Sequence, residues 1–166
     1  MKVISVYGYS KSGKTTTVEC IIKELIKRNY TVGSVKDIHY EEFSIDMEGS
    51  NTDRHRKAGA GLVTARGLYE TDILFKERLP MPEILKFYDQ DFVILEGVTD
   101  FEVPKILCAS SVEDVVERMH PSVFVLSGVI SNKISRFKNL SVINAFTDIE
   151  RLTDLVESTA MDWEPV

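Results

Sequence analysis

The sequence is short of several features that would assign it to a specialised class. It has two cysteines, Cys20 and Cys108, far apart and in no CxxC pair. That spacing argues against a disulfide framework or a zinc ribbon. Apolar runs stop at stretches such as Val93-Ile94-Leu95 and Val123-Phe124-Val125-Leu126, well below the ~20 residues of a membrane-crossing helix. Basic charge is also short: 20 Lys and Arg stand against 26 Asp and Glu, a net charge of −6. This disfavours a nucleic-acid partner. Met1-Lys2 leads directly into a β-like run with no apolar signal region, so the expectation is a soluble, cytoplasmic protein with no membrane partner. Internal repeats and Pro/Gly linkers are missing too. With 166 residues, 43% apolar and 28% charged, the composition is ordinary for a globular chain, and a single domain over 1–166 is expected.

What charge there is falls unevenly. Residues 1–83 carry 13 basic against 12 acidic side chains, whereas residues 84–166 carry 7 against 14. A site for a small anion should therefore draw its cations from the first half.

Val3-Ile4-Ser5-Val6-Tyr7 is β-branched and followed by glycine, the pattern of a strand. From Thr15 to Asn29, apolar residues recur at three- and four-residue spacing (Val18, Ile21, Ile22, Leu25, Ile26), which predicts an amphipathic helix. Thr31 to Lys36 reads as a second strand, completing a βαβ unit with a parallel strand pair. A helix is predicted over Thr52–Ala58, a hairpin-like pair over Leu62–Ala65 and Thr71–Phe75, and a helix from Pro82 to about Tyr88. Phe92-Val93-Ile94-Leu95 is continuous enough for a strand covered on both faces. Further strands are expected at Lys105–Ala109, Val123–Ser127 and Leu140–Ile143, with helices at Val112–Met119 and Asp148–Ser158. Alternating strands and helices define an α/β class with a mostly parallel sheet and helices on both faces.

The chemistry concentrates in Gly8-Tyr9-Ser10-Lys11-Ser12-Gly13-Lys14-Thr15, which fits GxxxxGK[ST]. The glycines allow the backbone to curl so that successive N–H groups face phosphate oxygens. The start of the following helix, at Thr15 and Thr16, adds its positive end. Lys14 is expected to bridge the β- and γ-phosphates and the Thr15 hydroxyl to ligate Mg²⁺. Strand and helix flank the motif, the context a phosphate-binding loop requires. Asp91 to Gly97 supplies the complementary carboxylate: Glu96 ends an apolar strand, so it should face the same crevice and hold Mg²⁺ directly or through water. Lys14 and Glu96 are thus the expected catalytic pair, with Thr15 and Glu96 as metal ligands.

Arg54-His55-Arg56-Lys57 is the densest cationic cluster and offers either a contact to a second anionic substrate or a solvated helix face. His39 follows the Lys36 strand end and is a candidate to line the crevice; His120, before Pro121, reads as structural. Gln90 is the only glutamine and precedes the Glu96 strand, so no glutamine is placed to position water for phosphate hydrolysis. Intrinsic turnover should be slow.

These residues resemble the molybdopterin-guanine dinucleotide biosynthesis protein B family, MobB. The resemblance is carried by GYSKSGKT at 8–15, VKDIHYEEFSID at 35–46, GSNTDRHRKAGA at 49–60 and DFVILEGVTDFEVPKI at 91–106. It implies a P-loop NTPase-like fold, binding of GTP with Mg²⁺, and a homodimer. It also implies a role in attaching GMP to a molybdopterin-type cofactor alongside a MobA-like nucleotidyltransferase. On this reading Lys36, His39, Asp46, Asp53, Arg54 and Arg56 are candidates for a second substrate or the metal shell. Two positions depart from the family: Tyr40 follows His39 where a second histidine is usual, and Asn51 replaces an Asp whose place Asp46 or Asp53 would have to take. Asn132-Lys133-Ile134-Ser135 keeps the first two residues of the guanine-reading NKxD motif but has Ser135 where Asp is expected. Two alternatives stand beside a slow GTPase adapter. One is a small-molecule kinase or ATP-dependent ligase resembling dethiobiotin synthetase, and the other is a non-catalytic, nucleotide-gated interaction module.

Overall fold

The computed structural model describes residues 1–40 and 43–164. In chain order the elements are β1 (Lys2–Gly8), α1 (Lys14–Lys27), β2 (Val32–Lys36), α2 (Asn51–Lys57), β3 (Leu62–Arg66), β4 (Thr71–Phe75), α3 (Met81–Leu85), β5 (Phe92–Glu96), β6 (Lys105–Cys108), α4 (Val112–Arg118), β7 (Val123–Ser127), β8 (Arg136–Phe137), β9 (Leu140–Ser141), α5 (Ile149–Thr159) and β10 (Met161–Asp162), with a short 3₁₀ turn at Val129–Asn132. They fall into two compact units, one formed by residues 1–37 and 88–166 and the other by residues 38–87.

The larger unit is built on a sheet in the order β2-β5-β1-β6-β7, all parallel, with β10 antiparallel to the start of β1. Alternating side chains of its strands point to opposite faces. Ile4, Val6, Ile94, Ile106 and Val125 pack with Val18, Ile21 and Leu25 of α1 and Leu152 and Val156 of α5. Tyr7, Leu107 and Leu126 pack on the other face with Val115 of α4 and Ile130. Helices thus cover both faces, as the alternation of elements predicts.

One expectation needs correction: β1 and β2 are parallel but do not pair, because β5 lies between them. Burial explains the order. All five β5 residues are buried, whereas β2, at the sheet edge, contains only half-buried and exposed ones. A run of apolar residues belongs in the sheet interior, and a glycine-bearing strand is tolerated at its edge. Gly33 in β2 leaves room for the Tyr88 ring, whose hydroxyl donates to the Ser34 carbonyl at 2.8 Å.

The predicted strand over Leu140–Ile143 is also shorter than expected. Only Leu140 and Ser141 pair, with Phe137 and Arg136, while Val142 makes a single bridge to Leu126. Likewise α3 stops at Leu85, short of Tyr88. α4 begins with a capping box, in which Ser111 Oγ accepts from the Asp114 amide and the Asp114 carboxylate accepts from the Ser111 amide. Such a box satisfies amides that the helix leaves open.

The smaller unit holds α2, the antiparallel β3–β4 hairpin and α3. Its α2 starts at Ser50, whose hydroxyl caps the Asp53 amide at 3.0 Å. Among the described residues no helix is long and apolar enough to cross a membrane.

Candidate functional site

Three strands of the parallel sheet end side by side, and their termini carry the site. Register sets Glu96 at the end of β5 opposite Val6 of β1 on one side and Lys36 of β2 on the other. The Gly8–Thr15 loop leaves β1 at this edge and enters α1. The loop's backbone requires glycine at both ends. Gly8 and Gly13 have φ of 147° and 94°, and a side chain at Gly8 would overlap the Cys108 carbonyl. Gly128, after β7, supports the loop from the far side. A Cβ at Gly128 would collide with the Ser12 carbonyl, which accepts the Val129 amide at 3.1 Å.

Within the loop, Lys14 Nζ donates to the Tyr9 carbonyl at 2.6 Å. The Tyr9 ring is drawn outward: its hydroxyl donates to Glu117 at 3.0 Å and the Arg118 guanidinium sits 4.5 Å over its face. Ser10 and Lys11 are exposed. Ser12 is buried, and its hydroxyl has no hydrogen-bond partner among the described residues. Thr16 lies in the first turn of α1.

Thr15 Oγ1 donates to Glu96 Oε1 at 2.8 Å, and the Lys36 ammonium pairs with the same carboxylate oxygen. The Glu96 side chain is only 8% exposed. Burial and the neighbouring Lys36 charge push the Lys14 ammonium below its ordinary value. Two ammonium groups that disfavour each other, facing a glycine-rich loop at the start of a 14-residue helix, form a locus for a polyanion. One hydroxyl and one carboxylate, adjacent and held by the fold, suit Mg²⁺, which keeps several waters and takes its remaining ligands from phosphate. A cage of three or more His, Cys, Asp or Glu groups does not occur among the described residues.

The smaller unit carries the other candidates. Asp53 is 2% exposed and fully engaged: its carboxylate accepts from Gly49 N at 2.9 Å and pairs with Arg56 at 2.7 Å and Lys57 at 2.8 Å. Lys57, then the Gly49 amide and Arg56, hold the carboxyl well below the usual carboxylate range. Asp46 Oδ1 accepts the Ser50 and Thr52 hydroxyls at 2.7 and 2.8 Å, whereas its buried Oδ2 has no hydrogen-bond partner among the described residues. Of these two carboxylates, Asp46 therefore keeps acceptor capacity. The cationic cluster divides in the same way: Arg56 is committed to Asp53, while Arg54 is exposed and in no ion pair among the described residues. His39 is exposed.

The strand register pairs Lys36, a candidate for a second substrate or the metal shell, with Glu96. Sequence reasoning missed Gly128. The signal for Gly128 was available, since glycine directly follows the apolar β7 strand just as Gly97 follows β5.

A parallel sheet with a GxxxxGKT loop between its central strand and the first helix defines a P-loop NTPase-like domain. The chain belongs to the MobB family: the family model described as "Molybdopterin guanine dinucleotide synthesis protein B" matches residues 3–126. A putative molybdopterin-guanine dinucleotide biosynthesis adapter protein of Methanocaldococcus jannaschii is 34% identical over 114 residues, covering 64% of this chain and 47% of that protein. The adapter protein of Haemophilus influenzae is 33% identical over 112 residues, covering 63% and 61%. The match thus spans about half to three-fifths of the length of these relatives. Among solved structures, Bacillus subtilis MobB aligns with a TM-score of 0.79 at 22% identity over 98% of this chain and all of that one. A MobB homologue of Bacillus stearothermophilus aligns at 0.71 and 22% identity over 95% and 99%. These likenesses establish the fold.

Proposed function

We propose that this protein binds GTP with Mg²⁺ at the Gly8–Thr15 loop and acts as an adapter in molybdopterin guanine dinucleotide synthesis. The observation that carries the reading is the cluster at the strand ends: Lys14 in the loop, and Thr15 and Lys36 meeting on the buried Glu96 carboxylate. Lys14 exchanges the Tyr9 carbonyl for phosphate oxygens, and the loop amides and the α1 terminus take up the remaining phosphate charge. Thr15 Oγ1 and Glu96 hold Mg²⁺, whose role is to neutralise charge on the β- and γ-phosphates. Lys36 pairs with the Glu96 carboxylate and holds it in place. No glutamine follows the β5 carboxylate, so hydrolysis is slow and the bound nucleotide is supplied to a partner nucleotidyltransferase. The names of the family and of its adapter relatives support the biosynthetic role. Arg54, exposed and in no ion pair among the described residues, is the group that engages a second substrate, the phosphate of a molybdopterin-type cofactor.

A homodimer fits the β3–β4 hairpin. The cross-strand pairs Leu62–Phe75 and Thr64–Ile73 share one face, on which Leu62, Ile73 and Phe75 are exposed, as are Leu68 and Tyr69 in the turn. An apolar face of this kind favours a protein partner, and a second copy is the occupant we assign.

The test is a titration with GTP, with and without Mg²⁺ and molybdopterin, followed by phosphate release. Mg²⁺-enhanced binding, molybdopterin uptake and turnover well below ~1 s⁻¹ support the reading. Fast phosphate release without a partner overturns the adapter role.

A further inference from the structure

On the face of the sheet that α4 covers, a cavity of about 200 Å³ is lined by Tyr7, Thr99, Lys105, Glu117, Arg118 and His120, among others. All of these residues belong to the larger unit, and none is part of the Gly8–Thr15 loop. The wall is rich in donors that the chain leaves partly or wholly unspent. Lys105, the first residue of β6, is 1% exposed, although lysine is almost never buried without a counter-charge. Its ammonium donates to the Phe101 and Val103 carbonyls at 2.7 and 3.2 Å, which spends two of its three hydrogens. The acid that acts on it, Glu102, has a side chain 80% exposed to solvent. Arg118 Nε is buried and has no hydrogen-bond partner among the described residues. His120 Nδ1 accepts the Ser122 amide at 3.2 Å. A backbone amide only donates, so the proton of the neutral ring sits on Nε2. That nitrogen lies 4.0 Å from Glu102, too far for a hydrogen bond. Of the lining residues only Glu117 is acidic, and its carboxylate accepts the Tyr9 hydroxyl at 3.0 Å. The Tyr7 hydroxyl is spent on the Arg118 carbonyl at 2.5 Å.

We infer that this cavity binds a tetrahedral oxyanion, free phosphate or the phosphate group of a small ester, held by Lys105, Arg118 and His120. A buried ammonium with no counter-charge beside it is costly, and an anion supplies that charge. Burial already pushes the Lys105 ammonium below its ordinary value; a neighbouring anion favours the charged form again. The donors come from separate places in the fold: Lys105 from β6, Arg118 from the last residue of α4, and His120 from the turn before β7. Thr99, exposed after β5, adds a hydroxyl. Four oxygens in a tetrahedron can meet donors arriving from several sides, whereas a planar carboxylate is best met by a single fork. The site is distinct from the Gly8–Thr15 loop and does not depend on the nucleotide-binding reading.

The chain has three histidines, so imidazole proton resonances can be followed one by one. The wild type and Lys14→Ala, in which the loop no longer competes for the anion, are titrated at fixed neutral pH. The probes are inorganic phosphate, glycerol phosphate, acetate, and sodium chloride at matched ionic strength. The His120 signal, assigned by its absence in His120→Gln, should move saturably with phosphate or its ester in both proteins. The His55 signal, from the smaller unit, should stay in place. Whichever of the two phosphates binds more tightly identifies the source. Lys105→Met should weaken the His120 response by about tenfold, the scale of one charged hydrogen-bonding group, with thermal melts as the folding control. Should Lys105→Met fail to fold, Arg118→Met is read in the same way. A His120 signal that ignores phosphate, or moves equally with acetate or sodium chloride, overturns the assignment. So does an undiminished response in a folded Lys105→Met or Arg118→Met protein. Loss of the response in Lys14→Ala overturns it too, since the anion would then sit in the loop.

Discussion

Glu96 in the larger unit and Asp53 in the smaller are both buried carboxylates paired with cations, yet they do different work. The partners of Glu96 come from elsewhere in the chain, Thr15 from α1 and Lys36 from β2. Glu96 ends the buried strand β5, with α1 and β2 supplying its partners, so the carboxylate sits at a fixed point in a crevice. The partners of Asp53 lie within a few residues of it, at Gly49, Arg56 and Lys57. It closes a turn onto a seven-residue helix, shorter than the ~12–15 residues that reach even marginal stability alone. Whether a buried carboxylate builds a site or shapes its own segment is read from how far away its partners lie.

The sharpest break in this contrast is Asp53→Ala. It removes the acceptor for two cations and an amide, and should lower the melting temperature by several degrees and open residues 49–57 to limited proteolysis. Tripolyphosphate affinity should stay within about twofold. Because the folded Asp53 titrates below its unfolded value near 3.9, its contribution is complete above that value and is lost as pH falls through the acid range below about 4. The wild type and Asp53→Ala melts should therefore converge on acidification.

Glu96→Gln is the counterpart. Shape is kept and charge is lost, so the gain in GTP affinity on adding Mg²⁺ should shrink by about tenfold, with binding in chelator little changed. An unchanged ratio would make Glu96 a strand-end residue with no metal role.

Within the cationic cluster the effects should divide. Arg56→Ala should cost stability through Asp53, whereas Arg54→Ala should leave the melt unchanged and weaken molybdopterin binding by about tenfold, the scale of one charge-assisted contact. Equal, small effects would make both arginines part of a solvated face.

The smallest effect concerns pH. Lys14 is depressed by burial and by Lys36, and phosphate favours its protonated form, so binding takes up protons as the pH approaches the Lys14 value. Affinity should be flat near neutrality and decline a few-fold as the pH rises towards the ordinary lysine range near 10.4. Lys14→Arg should flatten the profile.

Much of this was legible in the sequence because it is local. The loop between strand and helix, the acidic end of the Phe92–Leu95 run and the hairpin flanking Gly67 each declare themselves within a dozen residues. Strand order does not: that β5 separates β1 from β2 follows from competition for the sheet interior, which no local pattern states. The pairing of Lys36 with Glu96 depends on that order. The Asn144–Asn132 hydrogen bond was invisible for a related reason, since it forms only where the loop before α5 meets the turn after β7. Within the cluster at 54–57, no local pattern states that Arg56 is the arginine spent on Asp53.

The central claim, that the Gly8–Thr15 loop is a working triphosphate site, is tested most directly by calorimetric titration of Lys14→Ala with GTP and Mg²⁺. The account predicts a loss of affinity of about a hundredfold or more, the scale of a charged hydrogen-bonding group removed from phosphate, with a melting temperature within a degree or two of wild type because the ammonium supports no core packing. Wild-type affinity in a folded Lys14→Ala protein would contradict it.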